Sequence, residues 1–171
     1  MSMRSLAILS LICASSVSAE DGLRALAERG DAAALERLLH KGADVAATAA
    51  DGTTGLHWAA RADQLEPAQM LVAAGANPAA GDRYGVTPLQ LAAVNGNAAM
   101  IKLFIEAGAD ARAYGPDGET MLMAAARTGV PEALEVLLAA GAEIDAPDRE
   151  FGQTALMVAV RERQTAAGDL L

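Results

Sequence analysis

The sequence predicts an all-α solenoid of stacked repeats, and two regularities lead to that fold class. A Gly-Ala pair recurs every 33 residues, beginning at Gly42, Gly75, Gly108 and Gly141. Between these pairs lie alanine doublets, at Ala59-Ala60, Ala92-Ala93 and Ala125-Ala126. A fixed period of this length indicates units that bury their apolar faces against their neighbours, because a single globular core has no reason to repeat.

Each part of the repeated unit has a physical role. The alanine doublets predict a first helix that lies close to the first helix of the next unit. The second helix carries two columns of mostly larger apolar residues on one face; these are Leu35, Ala68, Ile101 and Leu134, and Leu38, Leu71, Phe104 and Leu137. The glycine of each Gly-Ala pair follows this helix, where a left-handed residue closes the last turn. The stretch after it is predicted to form a turn or short hairpin.

A longer sequence motif accompanies each Gly-Ala pair. Unit three reads Thr87-Pro88-Leu89, then Ala92-Ala93, then Gly96, and closes with Gly108-Ala109-Asp110. This resembles the ankyrin repeat, whose signature is Thr-Pro-Leu-His-x-Ala-Ala, then Gly, then Gly-Ala-Asp. Only Thr87-Pro88 keeps the proline, and only His57 keeps the histidine. The resemblance extends from about Asp21 to Leu171 and implies helix-turn-helix units joined by hairpin loops.

The repeat domain is predicted to occupy residues 20–171, with about four full units and a truncated fifth. The boundaries are about 21–47, 48–80, 81–113, 114–146 and 147–171. Unit one opens directly on a helix, Leu23 to Arg29, as a capping unit should. Unit five carries one extra residue around Arg149-Glu150-Phe151, and Leu170-Leu171 align with the middle of a second helix.

Residues 1–19 are predicted to be a cleaved signal peptide. Arg4 precedes an apolar run from Leu6 to Ile12, and Val17-Ser18-Ala19 is typical of a signal peptidase site. Cys13 leaves lipidation as an alternative, although Ile12 before it is bulky where a lipoprotein signal has a small residue. These features favour a secreted or periplasmic protein of bacterial type.

Composition argues against several kinds of function. The formal net charge of −9 disfavours nucleic acid and anionic membranes as partners. No serine or cysteine follows Ala19, so the commonest nucleophiles are missing from the repeats. His57 is expected to bond locally near Thr54 rather than to catalyse, and no metal or cofactor motif is present. We therefore expect neither an enzyme nor a cofactor-binding protein.

The remaining candidate for function is a surface. In ankyrin proteins the hairpin tips and the exposed ends of the first helices form a concave binding face. Carried over by position, the resemblance implies seven partner-binding residues: Arg61, Arg83, Tyr84, Asp117, Arg127, Arg149 and Arg161. Arginines and aromatics are the types that dominate binding energy when buried against a partner. The alternative is that these arginines form solvated ion pairs with acidic hairpin residues, which contribute little.

The sequence thus predicts a non-catalytic module that binds another protein through its hairpin tips and concave face. An inhibitor or chaperone of a co-exported enzyme is the first alternative, and an enzyme is the second. We expect a monomer, with association through the C-terminal unit as the other possibility. The partner is expected to be a protein, and no membrane contact is expected beyond the signal peptide.

Overall fold

The computed structural model describes residues 19–171, so the predicted signal peptide and Cys13 lie outside the described residues except for Ala19 itself. The described residues form ten helices in pairs. The bounds are α1 Ala19–Arg29, α2 Ala32–His40, α3 Gly55–Arg61, α4 Leu65–Ala73, α5 Pro88–Asn95, α6 Ala98–Glu106, α7 Met121–Thr128, α8 Pro131–Ala139, α9 Ala155–Arg161 and α10 Thr165–Leu170. The first helix begins before the predicted Leu23. The prediction of an all-helical repeat solenoid is confirmed.

The helices form two layers. The first helices contact one another in the order α1, α3, α5, α7 and α9, and the second helices do so from α2 to α10. All six residues of the predicted alanine doublets are completely buried. In the second layer, Leu71, Phe104 and Leu137 are also completely buried.

At the starts of α2, α5, α6 and α7 a side chain accepts a backbone hydrogen bond. The Thr87 and Thr120 hydroxyls each accept the N–H three residues later, at 3.2 Å, and Asn97 accepts that of Met100 at 2.9 Å. Such caps satisfy amides that have no partner inside the helix. The four predicted glycines after the second helices all have φ between 82° and 100°, as the left-handed prediction requires.

Hairpin loops join the units, as predicted. Each loop is closed by a backbone bond across the turn, as from Asp82 N–H to the carbonyl oxygen of Val86, 2.9 Å. In unit five the corresponding bond runs from Asp148 to Gln153, so the extra residue lies within the loop. Within residues 19–171 these loops contain isolated β-bridges and no strand.

Neighbouring loops are linked into a ladder of backbone hydrogen bonds. The N–H of Arg83 donates to the carbonyl oxygen of Asp51 at 2.8 Å, and that of Arg149 donates to Gly118 at 3.1 Å. Gly118 lies close to the next loop, since a Cβ there would be 3.1 Å from Arg149 Cβ. The position equivalent to Arg83 in unit four is Pro116, which has no N–H. The ladder is therefore interrupted between units three and four.

Candidate partner-binding face

The hairpin loops and the ends of the first helices lie beside one another. In unit four a guanidinium nitrogen of Arg127, on α7, forms an ion pair with Glu119 on the loop. In unit five Arg161 Nη1 donates to Gln153 Oε1 at 2.8 Å. Both pairs join residues eight apart in sequence, so the same contact recurs from loop to helix end. The structure thus brings the predicted tip and helix-end positions together within a unit.

Trp58 anchors the amino-terminal part of this face. The guanidinium carbon of Arg24 lies 4.0 Å from the centre of its ring, and that of Arg61 lies 5.1 Å away. The indole N–H donates to the Thr53 hydroxyl at 3.1 Å, and Thr53 is itself buried. Arg61 is therefore held by an aromatic ring. Sequence reasoning missed Arg24, whose contact with Trp58 crosses from unit one to unit two.

Arg83 and Tyr84 occupy the tip of unit three. A guanidinium N–H of Arg83 donates to the carbonyl oxygen of Ala50 on the preceding loop. The N–H of Tyr84 donates to Asp82 Oδ1 at 2.8 Å, and the same oxygen accepts the N–H of Val86. This fixes the loop while the Tyr84 side chain remains 68% exposed. The phenol ring thus projects from an ordered backbone.

Asp117 and Arg149 lie on the next two loops. Asp117 Oδ1 accepts the N–H of Glu119 at 3.2 Å, so this carboxylate shapes its own turn. The Arg149 guanidinium lies 4.4 Å from the ring centre of Tyr114 on the loop of unit four. Phe151, two residues after Arg149 in unit five, is 71% exposed. Tyr84 and Phe151 are the two most exposed aromatic side chains among the described residues.

Hydrogen bonds lower the pKa of two loop carboxylates. Asp148 accepts N–H bonds from Phe151, Glu150, Gln153 and Gly152, of which the bond from Phe151 contributes most to lowering the Asp148 pKa. The Thr53 hydroxyl is the main cause of the lowered pKa of Asp51. Both groups therefore stay ionised to a lower pH than an ordinary aspartate.

His57 links two units. Its Nδ1 accepts the N–H of Thr54 at 3.1 Å, and its Nε2 lies 3.0 Å from the carbonyl oxygen of Val86 in unit three. Nδ1 is therefore the acceptor and Nε2 carries the proton. Burial is the largest influence on the pKa of His57 and lowers it, while the bond to Val86 acts in the opposite direction. The predicted local bond to Thr54 is present, and the link to Val86 was not anticipated.

The described residues contain no cluster of three or more potential metal ligands. None of the helices in residues 19–171 has the length and apolarity that crossing a bilayer requires. The surface instead offers two exposed aromatic rings among arginines that already contact loops, rings or acids. Side chains ordered before binding lose less conformational entropy when a partner covers them.

Comparison with known protein families identifies the family to which this chain belongs. The family model described as ankyrin repeats (3 copies) matches residues 23–114 and again residues 92–171. The chain therefore belongs to the ankyrin-repeat family. Ankyrin repeats are generally protein–protein interaction modules, and the family is typically non-enzymatic. No curated protein sequence is significantly similar to the chain.

Proposed function

We propose that this protein is an exported, non-catalytic binding module that holds a partner protein against its hairpin tips and concave face. The observation that carries the proposal is the pair of exposed aromatic rings, Tyr84 and Phe151, on loops whose backbones are fixed by Asp82 and Asp148. Rigid aromatic side chains gain much from burial and lose little entropy, so they are favoured as anchors.

The arginines give the face its polar component. Arg83 is adjacent in sequence to Tyr84, Arg149 lies two residues before Phe151, and Arg61 and Arg127 lie on helix ends. In the Arg127–Glu119 pair the arginine side chain is exposed and the glutamate is half-buried, with its Oε2 atom buried and without a hydrogen-bond partner among the described residues. An acidic or hydrogen-bonding protein surface fits this combination of cations and rings.

The first experiment tests the aromatic anchors. The chain is used as bait in an extract of exported proteins, and bound proteins are quantified by mass spectrometry. Changing Tyr84 and Phe151 together to alanine should reduce capture of the specific partner at least about tenfold, as loss of two anchors implies. Ile144→Ala is the matched control, because Ile144 is exposed but lies outside the tips. Unchanged capture by the double variant would overturn the proposal.

A second experiment tests the arginines. Replacing Arg61 and Arg127 by glutamate should weaken capture several-fold, and thermal unfolding of the variant verifies that the fold is retained. The control replaces Arg37 and Lys102, which are exposed on second helices. Equal losses from both pairs would show that the concave face is not the contact. Once a partner is captured, a change in its activity on binding would favour the inhibitor alternative.

A further inference from the structure

Two arginines share the ring of Trp58. The guanidinium carbon of Arg24 lies 4.0 Å from the ring centre and that of Arg61 lies 5.1 Å from it, so two cations are gathered around one indole. Arg24 lies on α1 and Arg61 on α3, so the group spans units one and two. Trp58 and Arg24 are half-buried and Arg61 is exposed, which leaves the group open to solvent. We call Arg24, Trp58 and Arg61 the arginine–tryptophan cluster.

The two guanidinium groups of this cluster have N–H donors without a protein acceptor. Among residues 22–171, neither group donates a hydrogen bond to the protein, and no carboxylate oxygen lies within 4.0 Å of either. Arg83, Arg127 and Arg161 differ, because each already donates to a protein oxygen. A guanidinium carries five N–H donors, and two like charges near one ring are stabilised by an anion. The cluster therefore has the charge and the donors of an anion site.

Hydrogen bonds hold the ring and engage the acid on the adjacent loop. The Trp58 indole N–H donates to the Thr53 hydroxyl at 3.1 Å, and this hydroxyl donates to Asp51 Oδ1 at 2.6 Å. The bond from Thr53 is the largest cause of the lowered pKa of Asp51, and the charge of Arg24 contributes least to it. Glu28, four residues after Arg24, is also more than 4.0 Å from both guanidinium groups. These acids therefore leave the guanidinium donors available.

We propose that the arginine–tryptophan cluster binds a carboxylate. A carboxylate is planar and accepts two parallel N–H bonds from a guanidinium, so the pair is strong and well oriented. The chain has a net charge of −9 and repels a singly charged carboxylate less than a doubly charged phosphate. Arg24 and Trp58 lie outside the seven residues predicted for the partner-binding face, so the site does not depend on that prediction.

The carboxylate has two possible sources, an acidic side chain of the partner protein or a small free acid. Arg61 belongs to the predicted partner-binding face as well as to the cluster, so the partner is the expected source. This choice of source rests on the proposed function, whereas the site itself does not.

Acetate carries the same group as an aspartate side chain and tests the site directly. Trp58 is the only tryptophan of the chain, so its indole N–H gives a single NMR signal in the isotope-labelled protein. Titration with acetate should shift this signal saturably when chloride keeps the ionic strength at about 0.15 M, since screening is then constant. Arg24→Gln and Arg61→Gln should each weaken acetate binding at least about fivefold, because each removes a charge-assisted pair. Gln90 occupies the position of Arg24 in unit three, so the repeat accommodates glutamine there.

Arg37→Gln is the matched control, because Arg37 is an exposed arginine on α2, in the layer of second helices. This variant should bind acetate as the wild type does, and thermal unfolding verifies that all three variants are folded. The proposal is overturned if acetate causes no saturable shift, or if Arg24→Gln and Arg37→Gln weaken binding equally. Tighter binding of inorganic phosphate than of acetate would overturn the choice of a carboxylate.

Capture from an extract of exported proteins separates the two sources. Loss of capture by Arg24→Gln, with capture by Arg37→Gln unchanged, supports an acidic side chain of the partner. Full capture by an Arg24→Gln protein that no longer binds acetate overturns the partner as the source and leaves a free acid. The variants of Tyr84 and Phe151 test the proposed function separately, since neither residue belongs to the cluster.

Discussion

The Nε2 atom of His57 lies 3.0 Å from the carbonyl oxygen of Val86, so a side chain on the first helix of unit two holds the hairpin of unit three. The other ring nitrogen accepts the N–H of Thr54. One neutral imidazole thereby connects a helix start to the neighbouring unit. Protonation would add a hydrogen to Nδ1 and remove the acceptor that Thr54 uses.

Stability should therefore fall in mild acid. Burial lowers the pKa of His57 from its ordinary value of 6.5, so the unfolded chain binds the proton more readily than the folded one. The contribution of His57 is complete above about pH 6.5 and is lost as the pH falls toward its folded pKa. Denaturant unfolding at about pH 7.5 and 5.5 measures the difference in the free energy of unfolding.

The control for His57 comes from the repeat itself. Gln90 occupies the equivalent position in unit three, so His57→Gln should fit the site and remove this part of the pH dependence. A His57→Gln variant with the wild-type pH dependence would contradict the assignment.

Replacing Arg163 by glycine should stabilise the folded protein. Its φ of 59° is left-handed, and the aligned residues Gly30, Gly96 and Gly129 are glycines with similar φ. Arg163→Gly should raise the free energy of unfolding by about 1 kcal/mol, because a side chain in this conformation costs that much. Chemical denaturation at low protein concentration measures the change.

Asp63 provides the comparison, since its φ is 57° but its carboxylate accepts a 2.7 Å hydrogen bond from Asn97. Asp63→Gly relieves the same strain and loses that bond, so its net effect should be near zero. Destabilisation by Arg163→Gly would show that the arginine makes a contact more valuable than the strain it causes.

Export should leave a mature protein that begins at Glu20. The prediction follows from Val17-Ser18-Ala19 and the acidic pair after it. Intact-mass spectrometry of protein from a periplasmic fraction measures the amino terminus. An intact Met1, or a lipid on Cys13, would be incompatible with this cleavage.

Hydrogen exchange should be fastest from about Gln164 onward in the monomer, with the middle units protected. Helix α10 has six residues, no side-chain cap at Gln164, and Gly168 in its interior, where glycine costs about 1 kcal/mol against alanine. Adding one consensus capping unit after Leu171 should raise the melting temperature. Strong protection of α10 in the monomer would show that the short unit is already a sufficient cap.

Features that depend on local spacing could be predicted from the sequence alone. The glycines at 33-residue intervals and the buried alanine doublets lie where the pattern places them. These features repeat because each unit meets the same neighbours, so one unit predicts the next.

Contacts between units were harder to predict. The stacking of Arg24 on Trp58 and the bond from Gln164 to the carbonyl oxygen of Arg127 depend on rotamers and on the rotation between units. Neither of these contacts repeats in every unit, so periodicity carries no signal for them. The seven residues of the predicted binding face could be placed on a surface, but which of them a partner uses stays a prediction.

Pro116 divides the ladder of loop hydrogen bonds into two blocks. The hairpins of units two and three form one block held by backbone hydrogen bonds, and those of units four and five form another. Across this interruption, units three and four are held together by α5 with α7 and by α6 with α8. Tyr84 lies on one block and Phe151 on the other. A single proline thus leaves the distance between the two anchors to be set by helix packing rather than by the loop ladder.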